Sequence, residues 1–198
     1  MKIAVIAPKV PQNVKDLIQD RIVYACDSAV EALIKQNIEI DLAIGDFDSI
    51  QDKSLLKDLK TIKLAKDKDD SDTHYAIRHA YQQCDDVILI GGLSGPRVDH
   101  LFANLLLLEQ YNDLIIYNNN NLIRRLEIGT YTINKDDYTY LSLFPLMDSI
   151  VSLRGTKYSL DQDSLYAYDT IGLSNEIKAK EATLEVLKGV ILIIQSKE

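Results

Sequence analysis

The chain has 198 residues, 46% of them apolar and 26% charged, and carries a formal net charge of −8. That length builds one large or two small domains whose cores need no covalent staples. The acidic balance argues against a nucleic-acid partner, which calls for basic patches, and no stretch reaches the roughly 20 apolar residues of a membrane span.

The N-terminal MKIAVIAPK opens directly on an apolar run and lacks the layout of a signal peptide. Short runs at 3–7, 23–26, 42–44, 62–64, 87–90 and 114–117, the better ones rich in Val and Ile, are predicted as strands buried on both faces. Between them lie segments of helical spacing: 28–36, with Ala29, Ala32 and Leu33 on one face; 73–82, with Ile77, Ala80 and Tyr81; and 100–109, apolar almost all round and expected to be buried. The alternation predicts an α/β fold with a mostly parallel, doubly wound sheet. Cys26 and Cys84 lie in or beside apolar segments with no C-x-x-C spacing, which reads as reduced thiols in a cytoplasmic protein.

Four consecutive asparagines at 118–121 favour neither helix nor strand and are expected to form a surface turn at a boundary between domains 1–120 and 121–198. Beyond it, 122–133, 139–144, 150–153, 182–187 and 190–195 read as strands, punctuated by Gly129, Gly155 and Gly189. Lys188-Gly189 between two apolar runs is a hairpin signal. With no amphipathic helix in this half, the expectation is a small antiparallel β-sandwich or barrel.

The chemistry-bearing residues follow the predicted strands of the first half. Asp27 follows the second run; Gly45-Asp46-Phe47-Asp48-Ser49 follows the third; Asp67, Asp69, Asp70 and Asp72 follow the fourth; and Gly91 to His100 follows the fifth. In a parallel sheet these loops emerge at the carboxyl edge, where ligands bind in open α/β folds. Two carboxylates ~4 Å apart repel by about 4 kcal/mol at an effective dielectric near 20, so converging acids either point apart or hold a cation. Carboxylate oxygens select Mg²⁺, Mn²⁺ or Ca²⁺ over zinc. Extended geometry at Asp46-Phe47-Asp48 would turn both acids to the crevice and bury Phe47. The sign-alternating Lys66-Asp67-Lys68-Asp69-Asp70 also fits a solvated loop, and Ser71 or Asp72 a helix N-cap.

Gly92, Gly95, Arg97 and Asp99 lie on a loop that opens a helix. Glycines there permit close backbone approach, the helix start favours phosphate, and Arg97 suits bidentate phosphate binding. Asp99 reads equally well as an N-cap. Neither a P-loop nor a dinucleotide fingerprint is present. Asn104, polar in a nearly apolar helix, needs a hydrogen-bond partner, structural or ligand.

Taken together, residues 43–50 (AIGDFDSI), 68–73 (KDDSDT) and 92–100 (GLSGPRVDH) resemble thiamine pyrophosphokinases. Asp27-Ser28-Ala29, residues 153–160 (LRGTKYSL) and residues 172–176 (GLSNE) resemble further motifs of that family, in the family's order. The resemblance implies an N-terminal α/β domain, a C-terminal β-sandwich that binds thiamine, and a homodimer. It implies transfer of a diphosphoryl group from ATP to thiamine, giving thiamine diphosphate and AMP, with Mg²⁺ held by Asp46, Asp48 and Asp72. Arg97 and Asp99 are then expected at the reacting phosphates, and Asp27, Lys68, Asp70, Ser71, Gly92 and Gly95 around the nucleotide. Asn104, Ser174 and Asn175 complete the expected binding residues, the Ser-Asn pair near a thiamine pocket at the subunit interface. Pro96 stands where the family commonly has a second Gly, and Ser71 where Thr is usual; neither change removes a carboxylate or the arginine. A metal-dependent nucleotide phosphohydrolase and a non-catalytic thiamine or nucleotide sensor are the competing readings.

Overall fold

The computed structural model describes residues 1–12, 14–67 and 69–198. The chain divides into two compact units, Met1–Asn119 and Asn120–Glu198.

In the first unit, six strands pair in parallel: β1 (Ile3–Ile6), β2 (Ile22–Cys26), β3 (Leu42–Gly45), β4 (Thr61–Lys63), β5 (Val87–Ile90) and β6 (Ile115–Tyr117). Their order is β6-β5-β1-β2-β3-β4, so the chain reverses its direction of travel across the sheet between β4 and β5. All four residues of β1 and of β5 are buried, as expected where both sheet faces are covered. Strand β4 departs from the expectation of burial on both faces: Thr61 and Lys63 are exposed. It ends the strand order, and a polar, charged rim is how sheets discourage further pairing.

Helices α1 (Ala29–Lys35), α2 (Asp72–Tyr81) and α3 (Val98–Gln110) connect the strands. Val30 and Leu33 of α1 join Ala4, Ile6, Ala25 and Ile90 in one apolar cluster that also takes in Phe47 and Ile50 from the loop after β3. Helix α3 contradicts the expectation of a buried helix. Asn104, Leu107 and Leu108 are buried, but Val98, Phe102 and Leu106 are 70%, 59% and 49% exposed. Composition counts apolar residues around a helix; only packing decides which of its faces is covered. No helix among the described residues is long and apolar enough to cross a membrane.

The second unit contains only strands: β7 (Asn121–Leu126), β8 (Gly129–Asn134), β9 (Tyr140–Pro145), β10 (Ser149–Arg154), β11 (Leu160–Leu165), β12 (Gly172–Asn175), β13 (Glu181–Lys188) and β14 (Ile191–Ser196). They form two antiparallel layers, β12-β9-β14-β7 and β11-β10-β13-β8. Leu141, Leu143 and Ile193 from one layer and Val151, Leu153 and Leu184 from the other share a core, which makes a sandwich. Strands β11 and β12 carry no alternating apolar pattern, because their central residues are largely exposed; backbone pairing alone reveals them.

Lys188-Gly189 does not close a hairpin. Strand β13 pairs with β10 and β8, whereas β14 pairs with β7 and β9, so the turn carries the chain from one layer to the other. Gly189 has φ +88°, and a Cβ there would lie 2.1 Å from Ser149 Oγ and 2.8 Å from Ser149 Cα. That hydroxyl is itself committed: it donates to the Met147 carbonyl at 2.7 Å and accepts from the Val190 amide at 3.2 Å. Gly189→Ala should therefore destabilise the sandwich by about 2–4 kcal/mol through the left-handed backbone and the clash. A thermal or denaturant midpoint indistinguishable from wild type would refute this reading of the crossover.

Candidate active site

Two adjacent strand ends build the acidic centre. After β2 the chain turns sharply at Asp27, whose φ is +46°, a left-handed conformation that aspartate tolerates better than most residues. Its amide donates to the Ile44 carbonyl at 2.9 Å. Gly45 permits this approach, since a Cβ there would sit 3.2 Å from both N and Cα of Asp27. The acids then come at once. Phe47 is 5% exposed and seated in the core, as expected, but by a different geometry. Its φ is +58°, so the segment is a left-handed turn rather than an extended strand, and the Asp48 amide donates back to Asp46 Oδ1 at 3.0 Å. Asp27, Asp46 and Asp48 thereby each present a carboxylate oxygen, all within 4.8 Å of one another.

Asp27 is 8% exposed, and its Oδ1 has no hydrogen-bond partner among the described residues. Burial pushes its pKa up, against the pull of the Ser49 hydroxyl and the Ser28 amide; the negative charges of Asp72 and Asp46 push it further. Asp48 goes the other way, held low first by a hydrogen bond from Lys66, whose Nζ lies 3.1 Å from Asp48 Oδ2, and then by the Ser49 hydroxyl. Three hard oxygen donors, one buried and short of a partner, fit a divalent cation of the Mg²⁺, Mn²⁺ or Ca²⁺ type.

Of the acids expected to hold metal, Asp46 and Asp48 are in this triad, and Asp27, expected at the nucleotide, joins them. Asp72 stands just outside, as the first residue of α2, yet its charge acts on both Asp27 and Cys26. Ser71 is the N-cap of that helix, its hydroxyl accepting from the His74 amide at 3.1 Å. Asp70 is engaged by Arg78 and by His74 Nδ1, the latter at 3.1 Å. Lys68 lies outside the described residues.

The residue before α3 is Arg97, so of the two readings of Asp99 the N-cap is not realised, and Asp99 sits in the first turn. The Arg97 guanidinium pairs with the Asp99 carboxylate, with Nε 3.2 Å from Oδ1, and both side chains are exposed. Asn104 is buried and structural: its Nδ2 donates to the Gly92 carbonyl at 2.9 Å. Gly92 has φ +72°, and a Cβ there would meet Asn104 Nδ2 at 2.4 Å, so the pair fixes the start of the loop that carries Gly95.

In the second unit, Ser174 is exposed with φ +58°, its amide donating to Ser142 Oγ at 3.0 Å. Asn175 is buried and bonded through both ends of its amide: Oδ1 accepts from the Tyr158 and Glu176 amides, and Nδ2 donates to the Tyr158 carbonyl at 2.6 Å. It forms part of the wall of a cavity of about 490 Å³ that also includes Leu143, Leu153, Tyr158, Leu165 and Ile171. Sequence reasoning passes over Lys66 and Ser49, both polar residues at Asp48. Each sits within or next to an acidic run, where a charge pattern cannot separate a partner from a solvated neighbour.

Asp27 supplies a stability test with a definite sign. A carboxyl group whose pKa is raised by folding contributes its stability below the unfolded value of about 3.9 and loses it as pH rises through the folded value. At neutral pH the charge is a cost. Asp27→Asn should raise the metal-free Tm at pH 7 by about 2–4 °C, the response of a chain this size to roughly 1 kcal/mol. The gain should fade as pH falls through the raised folded value and be gone below the unfolded value of about 3.9, and Mg²⁺ should stabilise wild type but not the variant. A lower Tm for the variant at pH 7 would contradict the assignment.

Comparison with known proteins accords with this geometry. The family model for the thiamin pyrophosphokinase catalytic domain matches residues 14–118, and that for the thiamin pyrophosphokinase vitamin B1 binding domain matches residues 130–191. The thiamine pyrophosphokinase of Bacillus subtilis (strain 168) is 29% identical over 167 residues, which cover 79% of this chain and 78% of that protein. The crystal structure of a thiamine pyrophosphokinase from Bacillus subtilis matches at a TM-score of 0.89 and 26% identity over the whole of both chains. That of a thiamin pyrophosphokinase from Geobacillus thermodenitrificans matches at 0.88 and 27% identity, over all of this chain and 98% of the other. With both of its characteristic domains matched in order, the chain belongs to the thiamin pyrophosphokinase family.

Proposed function

We propose that this chain binds ATP and thiamine and transfers the terminal diphosphoryl group to the thiamine hydroxyl around the acidic centre at the ends of β2 and β3. The observation that carries this reading is the meeting of Asp27, Asp46 and Asp48, one carboxylate oxygen from each within 4.8 Å, in a chain of this family. Asp27, Asp46 and Asp48 would hold one Mg²⁺, with Asp72 at the start of α2 as a further candidate ligand. The bound ion supplies charge neutralisation at the ATP phosphates. The hydroxyl oxygen forms a bond to the β-phosphorus, the bond to the α-phosphate's bridging oxygen breaks, and AMP leaves. Positioning and electrostatics carry most of the acceleration in such transfers.

The loop from Gly92 to Arg97 has the conformation for close backbone approach, with Gly95 at φ +115°, and Arg97 exchanges its Asp99 partner for phosphate oxygens. Asp70 and Ser71, just before α2, are the nucleotide-side residues of this reading, and Lys68 is expected with them from the sequence alone. Asn104 acts through Gly92 rather than on the ligand. The cavity beside Asn175 is apolar with a few polar groups, the character of a site for a small heterocyclic ligand. Asn175 shapes its wall through Tyr158, and exposed Ser174 offers its hydroxyl to thiamine. A homodimer agrees with the exposed Val98, Phe102 and Leu106 at successive turns of α3. Two free cysteines agree with a cytoplasmic location.

Incubation with ATP, Mg²⁺ and thiamine should yield AMP and thiamine diphosphate in equal amounts. AMP formed at the same rate without thiamine would instead identify a phosphohydrolase, and thiamine binding without AMP a sensor. Asp46→Ala and Asp72→Ala should each lower kcat by about 10²–10³, the range for removing one group that stabilises transition-state charge, while the fold is retained by circular dichroism. Near-wild-type turnover in either folded variant would remove that residue from the proposed centre.

A further inference from the structure

One cation already stands at the acidic centre. Lys66, on the loop between β4 and α2, places Nζ 3.1 Å from Asp48 Oδ2. The other oxygen of that carboxylate accepts from Ser49 Oγ at 3.2 Å, and Asp46 Oδ1 accepts from the Asp48 amide. Asp48 is thus occupied on both oxygens, one of them by an ammonium, whereas the buried Asp27 keeps an oxygen without a partner among the described residues. The Lys66 side chain is 78% exposed. A long lysine stem on the surface is weakly held by a single carboxylate and costs little to redirect.

We propose that Lys66 is a nucleotide-binding residue that works by exchange: in the nucleotide-free protein its ammonium neutralises Asp48, and when the metal–nucleotide pair arrives it gives up that carboxylate and pairs with a phosphate. This rests on the metal-site reading above. The two states balance charge. A divalent cation at Asp27, Asp46 and Asp48 replaces the ammonium as counter-ion, and the released ammonium meets the anion that accompanies the metal. Lysine suits this better than arginine as a mobile point charge, because its three donors do not require the planar, forked geometry of a carboxylate.

The exchange has opposite consequences for metal alone and for metal with nucleotide. Removing the ammonium leaves Asp48 free for a cation, so Lys66→Met should bind Mn²⁺ alone, measured by calorimetry or by loss of the free Mn²⁺ paramagnetic signal, about three- to tenfold more tightly than wild type. That is the size expected of one unit charge a few ångströms from a divalent ion at a partly screened surface. The same variant should show a KM for MgATP raised about tenfold with kcat changed much less, and Lys66→Arg should recover part of both. Unchanged or weakened Mn²⁺ binding in Lys66→Met, or an unchanged KM for MgATP, overturns the proposal. Asp46→Asn, measured in parallel, separates the two readings. If wild type binds Mn²⁺ and Asp46→Asn does not, the metal site stands and only the lysine exchange is in question. If Asp46→Asn binds as wild type does, the metal site falls and the exchange falls with it.

Discussion

The centre of this protein depends on bringing like charges together. Carboxylates repel, and one of them, Asp27, is taken almost wholly out of water, where its ionised form is disfavoured. The backbone enforces the arrangement. Parallel pairing of β2 with β3 sets two strand ends side by side, the missing side chain of Gly45 lets the Asp27 backbone close on it, and the left-handed turns at Asp27 and Phe47 bend the chain sharply at both strand ends. Residues kept in sparsely populated backbone regions persist only where the surroundings over-determine them. Here the surroundings are the buried strands and Phe47 itself, which ties the acidic turn to the core formed by β1, β2 and α1. An apolar anchor thus supports an unfavourable electrostatic site, the cost that the proposed divalent cation would offset.

The neighbouring loops are built with similar economy. Ser71 caps α2, and Asp70 is engaged by two residues of that same helix, His74 and Arg78, so the segment that brings Asp72 to the centre is tied down by contacts along α2. Asn104 holds the Gly92 carbonyl and so serves the loop that carries Gly95 and Arg97. Several polar residues expected at a ligand are thus hydrogen-bonded to backbone in this structure. In the second unit Asn175 is bonded likewise to Tyr158 beside the cavity. Arg97, Ser174 and Lys66 are exposed by contrast, and the two cations pair with Asp99 and Asp48.

Strands β1, β2, β3 and β5 are legible in the chain because parallel strands covered on both faces must be continuously apolar. Asp27, Asp46 and Asp48 are legible because they come directly after such strands. Phe47 is expected in the core, and it is there, though through a left-handed turn that no propensity announces. Strands β11 and β12 are not legible, because exposed central residues carry no period. The turn at Gly189 resembles a hairpin because a Lys-Gly pair between apolar runs is compatible with either outcome; which layer each run joins is decided by pairing partners far away in the chain.

By itself, then, the amino-acid sequence determined the class of each half, the order of its main elements and the acidic residues that follow its strands, since these depend on local hydrophobic period and on residue type. Tertiary structure alone decided which acids come together, which polar residues bond to backbone, and which face of α3 is left exposed. Those are matters of distance between segments remote in the chain, and they are settled by packing and by backbone turns at Asp27, Phe47 and Gly189, on which local pattern is silent.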